Sequence, residues 1–344
     1  MNKFIQMYKS IQRKKYFKNT ENYTSGYAFV GAGSHSIHNL YPCLHHLGVQ
    51  LKCICTKNKS SAQSMANLFT GCTATDKLED ILHDESIKGV FVCIQSDKQV
   101  NIVKQLLENN KHVFVEKPIG YSLAELKEVI AVENGYICQV GLQRRFSVVC
   151  QVLQKINKHP LSYNYRFLVG GYPEGNELYD LFIHPVDLVL QLFGKATVEN
   201  ISTAGDGRKK TFFITLNHGG VKGVLELSTN HTWQQLVDEI SITSFSKIIT
   251  ARYPNHVSAI IKSPSPLNIP FEKISKQPLK QEIYLDSSNF SPLAELNSLN
   301  LQGFYPELKH FADAVENTKQ DQFCRAESLL PAYEILEQLQ KLAV

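Results

Sequence analysis

The chain has 344 residues, of which 43% are hydrophobic, 20% charged and 10% aromatic, and this composition excludes a disordered or fibrous protein. Its net charge of +4 is concentrated in residues 1–25, so the near-neutral remainder lacks the basic face of a nucleic-acid-binding protein. No apolar run approaches the roughly 20 residues of a membrane-spanning helix, so we expect no membrane partner, and the length predicts more than one domain.

Eight cysteines are scattered along the chain without a CxxC pair, and several lie in apolar runs such as VFVCI. This usage is typical of small buried side chains in a reducing compartment. Cys53 and Cys55 should share one face of a strand, but neither a second pair nor a nearby His completes a zinc site, so we predict no metal centre. Since no secretory signal follows the basic start, we expect a cytoplasmic protein.

Residues 1–25 are predicted to be a separate basic extension. Phe4, Tyr8 and Ile11 recur at helical spacing between basic residues, which indicates a short amphipathic helix. A solvated segment or a helix lying on the body explains this pattern, and a membrane-surface or targeting role is the alternative.

Residues 26–145 alternate apolar runs with helical stretches. The runs YAFVG, LKCICT, GVFVCI, HVFVEKP and YICQVG are predicted strands. Ser122 and Glu125 form a capping box that begins one of the helices between them. Because strands that are apolar on both faces pack between two helical layers, we predict an α/β domain with a Rossmann-type, doubly wound parallel sheet.

Residues 146–344 are predicted to form a second, α+β domain. Alternating runs such as LSYNYRFLV, VKGVLELS and DEISITSF indicate a large open sheet, mostly antiparallel or mixed. Two helices, DLFIHPVDLVLQLFG and the stretch from about Tyr305, interrupt or close this sheet. Residues 264–280 contain four prolines and are predicted to be a loop.

A glycine turn follows the first strand directly and opens the first helix. Gly31 permits a tight turn, Gly33 lets the backbone approach a pyrophosphate, and Ser36 is small enough for close packing of helix on strand. In this strand–turn–helix context the pattern predicts a dinucleotide site. Its expected contacts are Gly31, Gly33, Ser34, His35 and Ser36.

The end of the second strand bears on the choice of dinucleotide. A carboxylate there would bind the adenosine ribose and repel a 2′-phosphate, but the sequence has Cys55-Thr56-Lys57-Asn58-Lys59. A hydroxyl beside two lysines suits a phosphate better, so Thr56 and Lys57 favour NADP over NAD.

Glu116-Lys117-Pro118 ends a buried strand, and the carboxyl ends of parallel strands face the ligand crevice. Lys117 should therefore project towards the place of a nicotinamide, while Pro118 fixes the turn and is a candidate for a cis bond. A lysine at this place is costly unless it has a partner or a function.

A second cluster, Asp180-Leu-Phe-Ile-His184-Pro-Val-Asp187, lies on a predicted buried helix. Asp180 and His184 are one turn apart and share a face. An imidazole can accept a hydroxyl proton near neutral pH, and we expect the carboxylate of Asp180 to support its charge.

These features, in this order, resemble one known family. The glycine turn, the EKP strand end, the GLQRRF segment and the Asp-x-x-x-His-x-x-Asp helix are similar to those of the glucose–fructose oxidoreductase and inositol dehydrogenase family (Gfo/Idh/MocA). The terminal GFYPELKHFADAVEN segment also resembles the closing segment of that family.

The resemblance implies an NAD(P)-dependent enzyme that moves a hydride between nicotinamide and a hydroxyl or ketone carbon of a sugar, sugar derivative or cyclitol. It implies that Lys117 touches substrate and nicotinamide, that His184 is the acid–base with Asp180 beside it, and that Arg144 and Arg145 line the cofactor or the substrate. A homodimer or homotetramer formed through the open sheet is also implied. A glycosidase or eliminase that recycles bound NAD and a non-catalytic NAD(P) sensor remain as alternatives.

The sequence departs from the family pattern after the fourth strand. The usual Thr-Pro and His are replaced by Gln95-Ser96 and Gln99, in a loop that borders the nicotinamide. We expect Ser96 and Glu116 to contact the cofactor there.

Overall fold

The computed structural model describes residues 2–17, 23–206, 209–265, 267, 269–276, 279–286, 294–317 and 323–343. Over these ranges, no helix combines the length and the apolar character needed to cross a membrane. A six-stranded sheet organises the first part of the chain and an eight-stranded sheet the second. Both predicted fold classes are confirmed.

The first sheet is parallel throughout. Its strands are β1 (Gly26–Val30), β2 (Leu51–Cys55), β3 (Thr73–Thr75), β4 (Ile87–Val92), β5 (His112–Glu116) and β6 (Cys138–Gly141). Their order is β3-β2-β1-β4-β5-β6, which reverses the direction of winding between β1 and β4 and opens a ligand crevice at the carboxyl ends of the strands. The sequence did not predict β3, because a three-residue Thr-Ala-Thr strand carries too little pattern.

Helices cover both faces of this sheet. They are α2 (Tyr41–Leu47), α3 (Lys59–Ala66), α4 (Glu79–Leu82), α5 (Ser96–Glu108) and α6 (Leu123–Ala131), and α1 (Asn2–Phe17) precedes the domain. The predicted cap at Ser122 is confirmed, since Ser122 Oγ accepts a hydrogen bond from Glu125 N at 3.2 Å, but the Glu125 carboxylate accepts from the N–H of the preceding residue, Tyr121, at 2.7 Å. In α1, Phe4 and Tyr8 are exposed, while the side chain of Ile11 lies outside the described residues.

The second sheet has the order β14-β13-β12-β11-β7-β10-β9-β8. Its described pairs are antiparallel except β7 with β10. Its strands are β7 (Pro160–Leu168), β8 (Thr197–Asp206), β9 (Lys209–His218), β10 (Val221–Ser228), β11 (Val237–Ser244), β12 (Lys247–Arg252), β13 (His256–Ile261) and β14 (Gln281–Asp286). The edge strands β8 and β14 were not predicted, because their alternation is interrupted by polar residues.

Five further helices belong to the second half of the chain. They are α7 (Val148–Ile156), α8 (Ile183–Phe193), α9 (Ala294–Gln302), α10 (Phe304–Asn317) and α11 (Leu330–Ala343). The inner face of the second sheet and α8 share one buried core. Pro185 lies in the first turn of α8 directly after a π-helical segment, Leu178–Phe182, and proline is tolerated in a first turn.

The outer face of the second sheet is open. Across it runs a row of alternating charges in which Arg252 pairs with Glu239 at 2.5 Å and Arg166 pairs with Glu226 at 2.6 Å. Phe213 stands opposite Glu226 in the strand register and is 37% exposed. This face therefore mixes exposed apolar side chains with paired charges.

Helix α10 packs beneath the first sheet, although the predicted boundary at residue 146 assigns it to the second domain. Phe311 contacts Phe91 and Phe114, with ring centroids 5.1 and 6.0 Å apart. Leu308 and Phe311 are fully buried in the core that β1, β4 and β5 share with α2. The chain thus returns to its first domain after completing the second sheet.

All eight cysteines are free thiols, and seven of them are buried. Burial raises the pKa of each thiol that shows a shift, as for Cys55, whose pKa is about 11. This confirms the expectation that the cysteines are small buried side chains.

Candidate functional site

The glycine turn is packed against the sheet at Gly31 and open to solvent at Gly33. Gly31 has φ +115°, and a Cβ there would lie 2.0 Å from Cys93 O, so only glycine fits. Its N–H donates to Cys55 O at 2.9 Å, and its carbonyl accepts from Tyr41 Oη at 2.7 Å. A Cβ on Gly33 would meet no atom within 4 Å. The turn therefore offers open backbone at the start of a helix, which fits a pyrophosphate.

The remaining residues of the predicted turn surround this opening. Ser36 is buried, and its hydroxyl donates to Gly33 O at 2.9 Å, while Ser34 is exposed. His35 Nε2 lies 3.4 Å from Glu116 Oε1, at the end of β5. The turn thus reaches the strand that carries Lys117.

The end of β2 presents a hydroxyl and a lysine, and residues 55–59 include no carboxylate, although Asp76 and Asp80 are near enough to raise the pKa of Cys55. Thr56 is partly exposed, and its hydroxyl donates to Asn58 O at 2.7 Å. Lys57 is exposed. Asn58 caps α3 by accepting from Ser60 N at 3.0 Å.

Lys117, at the end of β5, contacts the π-helical segment that precedes α8. Lys117 Nζ donates to the carbonyl oxygen of Asp180 at 2.6 Å. Burial lowers the pKa of Lys117, and the nearby Glu116 and Asp180 oppose that shift. The Lys117–Pro118 bond is cis. The structure therefore brings together side chains from both halves of the chain.

Gln99, noted in the sequence only as a departure from the family pattern, holds this turn in place. Its amide Nε2 donates to Glu116 O at 3.0 Å and to Pro118 O at 2.7 Å, on either side of Lys117. The side chain is fully buried on α5. Because one amide group makes both hydrogen bonds, Gln99 fixes the backbone on either side of Lys117 and so positions this lysine.

The carboxylate of Asp180 is held by its own loop, and Lys117, Arg144 and His35, rather than Asp180, are the charged groups that shift the pKa of His184. Its Oδ2 accepts a hydrogen bond from Asn176 N at 2.8 Å. Hydrogen bonds from Tyr172 and Tyr121 also lower its pKa, but burial is the larger effect and raises it. Sequence spacing gave no signal for these local partners.

His184 is a buried imidazole among cations. Burial lowers its pKa well below 6.5, and Lys117, Arg144 and His35 lower it further. Its Nδ1 is buried without a hydrogen-bond partner in the structure. The ring is therefore neutral near pH 7 and able to accept a proton.

Arg144 lies beneath this cluster rather than on the glycine turn. Its guanidinium pairs with Asp238 at 2.8 Å and donates to Tyr165 Oη at 3.0 Å. It also stacks between Phe167 and Tyr253, 5.1 and 4.6 Å from the ring centroids. Since it lowers the pKa of both Lys117 and His184, it acts on the site electrostatically.

Arg145 does not face the crevice, and the structure gives no support to its predicted contact with substrate. It is 2% exposed and binds both carboxylate oxygens of Asp187, at 2.9 and 2.5 Å. It also donates to Ser328 Oγ at 2.9 Å and to the carbonyl of Phe323. Arg145 therefore joins α8 to the segment before α11.

Unpaired buried polar atoms gather around the end of β5. Among the described residues these include Gln99 Oε1, Glu116 Oε1, Arg144 Nε and His184 Nδ1. Buried polar groups in native proteins are nearly always paired, so such a cluster marks a functional site. Ser96 begins α5 beside it and hydrogen-bonds Tyr121.

A Rossmann-type sheet with an open glycine turn is typical of a dinucleotide-binding domain. The model of an oxidoreductase family with an NAD-binding Rossmann fold, Gfo/Idh/MocA, matches residues 25–142. The match covers the first domain and agrees with the resemblance that the motifs indicated.

Several known proteins are similar to this chain. The uncharacterized oxidoreductase YrbE of Bacillus subtilis is 33% identical over 100 residues, which is 28% of this chain and only 29% of that protein. The scyllo-inositol 2-dehydrogenase (NAD(+)) of Bacillus subtilis is 28% identical over 300 residues, 79% of this chain and 80% of that protein. A dehydrogenase from Chromobacterium violaceum has the same fold, with a TM-score of 0.80 at 15% identity over 93% of this chain and 96% of that one.

Proposed function

We propose that this protein is an NAD(P)-dependent oxidoreductase that transfers a hydride between nicotinamide and a hydroxyl or ketone carbon of a sugar, sugar derivative or cyclitol. The observation that carries the proposal is the approach of Lys117 to the segment that holds His184: Lys117 Nζ donates a hydrogen bond to the backbone oxygen of Asp180, and Lys117 lowers the pKa of His184. They come from the two halves of the chain and lie next to a glycine turn that fits a pyrophosphate. The similarity to an inositol dehydrogenase supports a polyhydroxylated substrate.

The residues divide the reaction between them. The bound dinucleotide supplies the hydride acceptor or donor. In the oxidising direction, neutral His184 takes the hydroxyl proton, because its lowered pKa keeps the ring uncharged. Lys117 donates a hydrogen bond to the same substrate oxygen and stabilises the negative charge that develops on it. Gln99 and Asp180 position the lysine.

We propose NADP rather than NAD as the preferred cofactor. Thr56 and Lys57 stand at the end of β2, where the strand itself carries no carboxylate that would bind the adenosine ribose. Titration of the purified protein with each dinucleotide tests this choice. We expect tighter binding of NADP, and tighter binding of NAD would overturn it.

A cofactor-reduction screen over sugars, nucleotide sugars and inositols tests the proposed activity. We expect at least one substrate to be oxidised, and His184→Ala to lower turnover by orders of magnitude while the dinucleotide still binds. Turnover without free reduced cofactor would favour a glycosidase or eliminase that recycles NAD. Binding without turnover, together with capture of a specific protein partner, would favour a sensor.

We also propose that the outer face of the second sheet is a contact between copies of this chain. Phe213 and Ile260 are exposed on it beside the alternating row of charges, and such a row can pair with its own copy across a two-fold axis. Light scattering after size-exclusion chromatography tests this. We expect a dimer or tetramer that Phe213→Asp dissociates, and a monomeric wild type would contradict the proposal.

A further inference from the structure

Trp233, the single tryptophan of the chain, lies on the loop between β10 and β11. Its indole packs against a pair of glycines that follow β7. The ring nitrogen donates a hydrogen bond to the carbonyl oxygen of Gly171 at 2.8 Å, and a Cβ on Gly170 would lie 2.3 Å from the indole Cδ1. The side chain is nevertheless 49% exposed. The backbone therefore fixes one edge of an indole that stays accessible to a ligand.

The loop that follows β7 leads to the proposed catalytic groups. Tyr172 comes directly after the two glycines and hydrogen-bonds the carboxylate of Asp180. A Cβ on Gly175 would meet both that carboxylate, at 2.2 Å, and the hydroxyl of Tyr172, at 3.3 Å. Lys117 in turn donates to the backbone oxygen of Asp180. The tyrosine side chain thus reaches from the backbone that holds the indole to the residue that the lysine contacts.

The other end of the Trp233 loop is fixed beside the same groups. Asp238, at the start of β11, pairs with Arg144 at 2.8 Å. Arg144 is close enough to Lys117 and His184 to lower the pKa of both. Because β7 and β10 are parallel neighbours, their carboxyl ends and the loops that follow them lie side by side. Trp233 therefore lies at the end of the second sheet that adjoins the reacting groups.

An indole that is held by one edge and half exposed is suited to stack against a ring. Aromatic faces gain free energy from contact with flat apolar surface, and proteins that bind nucleic acids stack bases on them. The side chain of Tyr172 lies between the indole and Asp180, so a ligand that touches both the indole and the reacting groups extends beyond a single sugar ring.

We propose that Trp233 binds a second ring of the substrate, a glycosyl or nucleoside group attached to the sugar that reacts at Lys117 and His184. This inference rests on the proposed function and narrows its substrate class to substituted sugars. Trp233 then determines which substrates are accepted, and it takes no part in hydride or proton transfer.

The test compares matched substrates, each a single ring and the same ring carrying a second one. Glucose is paired with maltose and with UDP-glucose, and galactose with lactose and with UDP-galactose. We expect at least one two-ring compound to have a KM about tenfold or more below that of its parent ring. Preference for the disaccharides identifies a glycosyl group and preference for the UDP-sugars a nucleoside. Glucose 1-phosphate, which adds charge but no ring, is the control.

The emission of Trp233 reports binding without turnover, since the chain has no other tryptophan. The protein is loaded with reduced dinucleotide, which cannot accept a further hydride. Maltose or UDP-glucose, or a galactose counterpart, should then change the emission, whereas glucose and glucose 1-phosphate should not. Unchanged emission with every two-ring compound would overturn the inference.

Variants separate stacking from structural packing. Trp233→Ala should raise KM for the preferred two-ring compound about tenfold, with kcat within about threefold, and Trp233→Phe should recover most of that loss. Dinucleotide binding should not change in either variant. Phe245→Ala, at a 72% exposed aromatic residue between β11 and β12, is the control for loss of a surface ring.

A neighbouring glycine displaces the indole without replacing it. Gly170→Ala places a Cβ against the indole and should raise KM as Trp233→Ala does, whereas Gly171→Ala meets no atom within 4 Å and should keep the wild-type preference. Equal KM values within every pair, or a Trp233→Ala variant that keeps the preference, would overturn the inference while turnover of single rings upheld the proposed function. Failure to bind a dinucleotide would instead overturn the proposed function, and this inference with it.

Discussion

Replacing Lys117 with Met separates the catalytic value of the ammonium from its structural value. The substitution keeps most of the side-chain volume and removes a charge whose pKa burial lowers. Loss of one donor to a developing oxyanion lowers kcat by a factor of about 10² to 10³, or about 3–4 kcal/mol.

Stability should respond differently to the same change. The lost hydrogen bond to the carbonyl of Asp180 costs about 1 kcal/mol, and removal of a buried charge offsets that cost. We therefore expect the free energy of unfolding to change by less than about 1 kcal/mol, or to rise slightly.

The assay combines kcat with the substrate identified in the screen, dinucleotide binding by titration and thermal unfolding. Lys155→Met, at an exposed lysine on α7, is the control for loss of a lysine charge. If Lys117→Met kept kcat within about tenfold of the wild type, the role of the lysine in charge stabilisation would be refuted. A large fall in Tm would show that Lys117 is structural.

Three further predictions concern charge, protonation and space. Asp187→Ala leaves a buried guanidinium unpaired and should lower the free energy of unfolding by about 3–5 kcal/mol in denaturant titration; Glu226→Ala, at an exposed pair, should cost less than about 1 kcal/mol. The acidic limb of kcat/KM for oxidation should lie below pH 6.5, because the lowered pKa of His184 keeps the ring neutral down to that pH. The free energy of unfolding should also fall below pH 6.5, since His184 takes up a proton in the unfolded chain but not in the folded chain. Gly175→Ala places a Cβ 2.2 Å from the carboxylate of Asp180 and should lower kcat/KM at least about tenfold. The control Gly171→Ala meets no atom within 4 Å and should be neutral. Equal activity of the two variants would contradict this view of the site.

The parallel sheet could be predicted from the sequence because burial on both faces leaves a continuous apolar run in each strand. Short or partly polar edge strands such as β3 and β8 carry no such signal. The sequence also did not predict which domain α10 packs against. The pattern of an amphipathic helix shows that one face is buried but not which core buries it. Its aromatic contacts to β4 and β5 depend on the path of the whole chain.

The candidate site, like the fold, could be predicted from the sequence only in part. The positions of Lys117 and His184 could be predicted because one follows a buried strand and the other lies on a buried helix, and both places restrict where a side chain points. Arg145 was misplaced because a guanidinium that binds substrate and one that binds a buried carboxylate look alike in sequence. The partners of Asp180 were missed because Asn176 and Tyr172 approach it through a loop conformation that residue spacing does not encode.

The return of α10 to the first sheet has a consequence for synthesis of the protein. Phe91 and Phe114 pack against Phe311. A nascent chain that has been synthesised only as far as β6 therefore lacks one ring of this aromatic cluster. Translation from the end of β6 to the end of α10 takes roughly 10 to 35 s at about 5–20 residues per second. The first domain therefore cannot complete its core until nearly the whole chain has been synthesised.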